Sequence, residues 1–141
     1  MKQEHKYLTK PESLKIALVI LYADIFLQIV RGIFAFNESL KIAQGAGMPS
    51  STMFISMLFS YGFNVFIIFM ISKRKKWAWI IELILTVYGL VGFLILLATK
   101  SSFLFSTGSS DLFLSVLSHM AHIVAGSLLI KKDSRNWFIA K

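Results

Sequence analysis

The chain of 141 residues contains no cysteine. That excludes disulfide staples, thiolate metal sites and cysteine redox chemistry. Charge is scarce too: 16% of residues are Asp, Glu, Lys or Arg, where a soluble domain carries about 25%. Only two residues are proline, Pro11 and Pro49, and both read as helix starts rather than interruptions. There is no glycine-rich phosphate loop and no His-Glu-x-x-His pattern, so nucleotide-binding and zinc-protease readings have no footing. No lipidation motif is present.

What remains is apolar. Hydrophobic residues make up 56% of the chain and mean hydropathy is +0.69. They fall in four continuous runs, Leu14 to Phe36, Ser51 to Ser72, Trp77 to Ala98 and Leu112 to Ile130. A helix needs roughly 20 residues to cross a bilayer, and each run suffices. Backbone polar groups in lipid must be paired internally, which leaves helices or a closed barrel. A barrel would show short alternating segments, and these runs do not alternate. The fold predicted is all-α: a single four-transmembrane-helix bundle spanning residues 1–141. The first run is too long for a signal peptide and has no small-residue cleavage pattern at its end, so it reads as a retained helix.

The net charge of +8 is distributed by topology. Lys2, Lys6, Lys10 and Lys15 lie before or at the start of the first run. Lys73, Arg74, Lys75 and Lys76 join the second and third, and Lys131, Lys132, Arg135 and Lys141 follow the fourth. Basic residues accumulate on the cytoplasmic side of a membrane. The reading is therefore a multi-pass protein of the cell membrane, the bacterial cytoplasmic membrane, with both termini cytoplasmic. The charges also attract anionic lipid headgroups; they are not a nucleic-acid signal. The segment Asn37–Ser50 reads as an outer loop whose Leu40, Ile42 and Met48 lie on the membrane surface. Lys100–Ser110 reads as a second, dipped into the membrane through Phe103-Leu104-Phe105, with Ser109-Ser110-Asp111 capping the fourth helix. Trp77 and Trp79 fall at the inner interface, and Trp137-Phe138 anchor the tail there.

Polar residues inside the spans carry what functional signal there is. Asp24, Gln28 and Arg31 are spaced by four and three, so they share one helical face. A charge at that depth costs several kcal/mol against lipid, which turns this face toward the bundle interior or a partner. Asp24 and Arg31 are two turns apart, roughly 10 Å along the axis. In the fourth helix Asp111, Ser115, Ser118, His119, His122 and Gly126 form another broad face, with both histidines at a depth comparable to Asp24. One histidine is expected to approach Asp24, and Arg31 is within range of Asp111 at the outer end. A histidine–carboxylate pair across two helices relays a proton or orients a ligand. The same residues also suit a purely structural polar network, with Arg31 reaching outward. Asn64 lies in the inner half of the second helix. Glu82 lies near the inner end of the third and reads as interfacial, paired with nearby lysines. Gly89 and Gly92, with Ala121, Ala125 and Gly126, read as close helix packing.

Four helices with a membrane carboxylate in the first resemble the small multidrug transporters, in the helix count and Asp24 alone. Those proteins are shorter, use a glutamate and form antiparallel dimers, whereas the charge bias here points to a single orientation. Four-helix redox enzymes that act on quinones carry cysteines that this chain lacks.

No catalytic set is complete, which weighs against an enzyme, and no cofactor or metal is implied. Two histidines on one helix at this spacing do not suit haem bis-ligation. The leading reading is an accessory, regulatory or immunity-type membrane protein that binds a membrane partner, either a second copy of the chain or a larger protein, in contact with membrane lipids. The alternative is a small transporter or ligand-binding protein that uses Asp24, Gln28, Arg31, Asn64, His119 and His122. Because the chain has no native cysteine, its orientation is directly testable. Single cysteines at Ser39 and Ser106 should react with an impermeant maleimide in intact cells, and one at Ser134 should not. The reverse pattern inverts the topology.

Overall fold

The computed structural model describes residues 9–99 and 109–139. It is all-α. Four long helices, α1 (Glu12–Gly45), α2 (Ser50–Ser72), α3 (Lys76–Thr99) and α4 (Ser109–Ile130), are followed by the short α5 (Lys132–Ile139). All four long helices contain a segment long and apolar enough to cross a membrane. The chain is a multi-pass membrane protein built as a four-helix bundle.

Consecutive helices pack side by side, and α1 closes the circuit against α4 through the most extensive contact of the bundle. This is the arrangement expected when short connections force antiparallel neighbours. It also brings the start of α1, the α2–α3 turn and α5 to one end. The buried apolar residues concentrate there: Leu14, Ala17 and Leu21 of α1, Ile67 and Ile71 of α2, Ala78 of α3 and Leu129 of α4. The exposed large apolar side chains, among them Phe26, Phe34, Phe59 and Tyr88, form the outer surface that acyl chains cover.

Several sequence expectations need correction. The segment after Phe36 is not a loop, because α1 continues to Gly45. Its 34 residues span roughly 51 Å, against a hydrocarbon core of about 30 Å. Leu40, Lys41, Ala43 and Gln44 are good helix formers, and nothing stops the helix before the glycines. The stop is a Schellman motif: the Met48 N–H donates to the Ala43 carbonyl and the Gly47 N–H to that of Gln44. Gly47, at φ +75°, supplies the left-handed residue that the motif requires. The segment 100–108, expected as a membrane-dipped loop, lies outside the described residues, as does the Asp111 side chain. Gly89 and Gly92 do not mediate close packing, since a Cβ at either would meet nothing within 4 Å. The close approaches are at Gly32, beneath Tyr61, and at Gly126, where a Cβ would lie 2.5 Å from Thr86 Cγ2.

The tail also differs from its reading. Trp137 and Phe138 are 6% exposed, packed on the end of the bundle rather than held out as interfacial anchors. Phe138 stacks on Trp79 at 5.5 Å, Trp79 Nε1–H donates to the Leu129 carbonyl at 3.1 Å, and Ser13 and Ser134 share a hydrogen bond of 2.8 Å. Arg74 closes this arrangement. The α2 C-terminus repeats the Schellman pattern, with Lys75 N–H on the Met70 carbonyl and Arg74 N–H on that of Ile71. Its left-handed position holds Arg74 at φ 63°, a conformation that costs a non-glycine residue roughly 1–2 kcal/mol. Offsetting this, Arg74 Nε donates to the Trp137 carbonyl at 2.5 Å, and the guanidinium lies over the Trp137 ring.

Arg74→Ala keeps the backbone strain and loses the clamp, so it should lower stability in detergent by about 1–3 kcal/mol. Arg74→Gly loses the clamp but relieves the strain, and should cost less. Denaturant titration of purified protein orders the two variants; parent-like stability in both would mean that Arg74 does not hold α5.

Candidate functional site

Asp24 sits midway along the bundled part of α1 and is fully buried. Three donors converge on its carboxylate. Ser118 Oγ–H donates to Oδ1 at 2.5 Å. Gln28 Nε2–H, one turn along the same helix, donates to Oδ2 at 2.6 Å. His122 Nδ1 lies 2.7 Å from the same Oδ2. Ser118 and His122 are four apart and so stand one above the other on α4. When Asp24 is ionised it only accepts, and His122 Nδ1 then carries a hydrogen toward it. An acid in the interior of a membrane bundle is tolerable when so supplied, and this is what joins α1 to α4.

The other face of the same imidazole meets a second acid. His122 Nε2 lies 3.4 Å from Glu82 Oε1. Glu82 is only 1% exposed, and this oxygen is a buried atom with no hydrogen-bond partner among the described residues. The expected pairing of Glu82 with interfacial lysines is therefore wrong. About six residues of α3 separate it from Lys76, roughly 9 Å of rise, enough to carry it inside. One turn on, Thr86 bonds the Glu82 carbonyl at 2.9 Å and packs on Gly126, which brings α3 close to α4 at this level.

The triad Asp24–His122–Glu82 thus spans three helices, with imidazole between two carboxyl groups. With both acids ionised and the ring singly protonated, the group carries two negative charges; each added proton removes one. A hydrogen on either Nε2 or Oε1 completes the contact on the Glu82 side. The donors face opposite sides of one ring rather than a common point, and no metal-holding group of His, Asp or Glu occurs among the described residues.

Beside the triad lies a cavity of about 640 Å³ between all four long helices. Gln28, Arg31, Asn64, Ser118, His119 and His122 line it, together with Tyr61 and the apolar Met53, Met57, Leu85 and Leu90. The six residues singled out in the sequence are therefore distributed as follows. Asp24 is behind the wall, Gln28 and His122 join wall to carboxylate, and Arg31, Asn64 and His119 line the space without bonding Asp24. His119 bonds the Ser115 carbonyl through Nδ1 at 2.7 Å and stacks on Phe93. Asn64 donates to the Ser60 carbonyl at 2.9 Å. Tyr61 donates to the Gln28 carbonyl at 3.1 Å. Sequence reasoning missed Glu82, Ser118 and Tyr61 as members of the site. For Glu82 the signal was present: the burial argument applied to Asp24 holds for any acid well inside a span.

Asp24→Ala leaves three donors without their acceptor and should cost about 3–5 kcal/mol of stability. Asp24→Asn keeps an acceptor oxygen and should cost less. Combining Asp24→Ala with His122→Gln should cost clearly less than the sum of the two single losses, because contacting residues couple by roughly 0.5–3 kcal/mol. Additive losses in micelle unfolding would deny the pairing.

No family model, curated protein or solved structure matches this chain.

Proposed function

We propose that this protein is a small ligand-binding membrane protein, of transporter or receptor type, in which occupancy of the intramembrane cavity is coupled to a proton held by Asp24, His122 and Glu82. The observation that carries this is the double membership of His122, which lines the cavity and contacts both buried acids. A ligand in the cavity changes the solvation of that ring directly. His122 Nε2 and Glu82 Oε1 are the atoms between which a proton is gained, lost or shared, and an intramembrane ionisable group with a polar cavity at its side is the usual setting of a proton-linked site. The cavity falls within the 300–1,000 Å³ range of small-molecule sites.

The partner-binding role favoured by sequence alone has no comparable support: the exposed faces of α2 and α3 suit acyl chains as well as a protein. The clustering of Lys15, Lys73, Lys75, Lys76, Lys131 and Lys132 at the α5 end supports a cytoplasmic placement of that end.

Histidine-labelled NMR of the protein in nanodiscs tests the coupling. Asp24→Asn and Glu82→Gln should each alter the titration of His122. Unchanged titration of His122 in both variants would remove the proton-linked reading.

A further inference from the structure

On every long helix the most deeply buried apolar residues lie toward α5 and the cavity residues lie away from it, with the triad at the boundary. In α1, Leu14, Ala17 and Leu21 come before Asp24, and the lining residues Gln28 and Arg31 come after it. In α3, Ala78 comes before Glu82, and Leu85 and Gly89 come after it. The other two helices run the opposite way. In α2, Met57, Tyr61 and Asn64 line the cavity, and Ile67 and Ile71 are buried beyond them. In α4, Ser118, His119 and His122 line it, and Ala125 and Leu129 are buried beyond. None of these buried apolar residues is more than 1% exposed, so no water path runs between the cavity and the α5 end. The cavity is partly open, but not in that direction.

The closed end is held by α5, which is tied to all four long helices. It follows α4 directly. Ser134 hydrogen-bonds Ser13 at the start of α1. The Trp137 carbonyl accepts from Arg74, just past the end of α2, and Phe138 stacks on Trp79 of α3. Splaying any of these helix ends therefore requires a tie to α5 to break. One tie carries strain: Arg74 holds its left-handed φ of 63° while its guanidinium lies over the Trp137 ring. Strain in the closed arrangement narrows its advantage over an open one, and strained backbone positions gather at switch regions for that reason.

Resting on the reading of the cavity as a proton-linked site, we propose that α5 is a releasable strap. Fastened, it keeps the α5 end shut, and the cavity floor formed by the triad exchanges with the opposite side alone. Released through Arg74, it lets the helix ends part and opens the floor to the α5 side. The structure is the fastened state.

The chain has no cysteine, so single reporters test this in sealed membrane vesicles of each sidedness with a small impermeant maleimide. Lys132→Cys, at an exposed position, identifies the α5 face. Asn64→Cys reports on the cavity and Ala125→Cys on the plug below it. In the parent background Asn64→Cys should react only from the side opposite α5, and Ala125→Cys from neither. Adding Arg74→Ala should raise α5-side labelling of Ala125→Cys roughly tenfold or more, as loss of a charge-assisted hydrogen bond implies. Labelling of Asn64→Cys from the opposite side should keep its rate. A disulfide formed beforehand between Ser13→Cys and Ser134→Cys should refasten the strap and return Ala125→Cys to the parent rate, which general unfolding would not allow. Unchanged labelling of Ala125→Cys in Arg74→Ala, or a raised rate that the disulfide does not reverse, overturns the strap and leaves the cavity standing. Reaction of either reporter from the α5 side in the parent background overturns the closed state. Reaction of Asn64→Cys from neither side overturns the cavity reading itself.

Discussion

The burial of one carboxylate organises this bundle. Asp24 lies where neither water nor lipid headgroups can solvate it, and an unpaired charge there is prohibitively unfavourable. Its requirement for donors is met from its own helix by Gln28 and from α4 by Ser118 and His122. Since lipid offers helices no hydrophobic reason to associate, polar contacts and close packing must supply the specificity. The α1–α4 contact is accordingly the most extensive of the fold. His122 then extends the constraint to α3 through Glu82.

The two ends of the molecule divide the work. At the α5 end, Leu14, Ile67, Ile71, Ala78, Leu129, Trp137 and Phe138 form a tightly buried plug, reinforced by Arg74 in a strained backbone position. Beyond the level of Asp24 the helices leave a partly open cavity between them instead. Residues such as Gly32 beneath Tyr61 set how closely α1 and α2 approach at its edge, while Gly89 leaves space unfilled. A packed end fixes the relative heights of the helices, and those heights bring a histidine of α4 level with acids from α1 and α3.

The architecture was legible in the sequence because its cause is local. Four apolar runs with two prolines at their margins suffice for a four-span bundle. The shared face of Asp24, Gln28 and Arg31 follows from helical spacing alone, and so does the stacking of Ser118 on His122. The overextension of α1 was not legible. Whether a chain such as Asn37–Gln44 stays helical outside the bilayer is a matter of modest propensities, and the glycines that end it lie further on than the end of the apolar run.

What the sequence determined is that acids and histidines lie inside a membrane and must find partners there. What only the tertiary structure decided is which partners. His119 and His122 differ by less than one turn of α4, yet one bonds its own backbone and the other bridges two acids, because helix rotation and height set which ring faces α1. Glu82 lies far enough along α3 from Lys76 for its burial to be foreseen, but its place beside His122 depends on the fit of Thr86 against Gly126. The cavity is likewise a product of packing. It exists where side chains from four helices fail to fill the space between them, and no periodicity within a single helix encodes that.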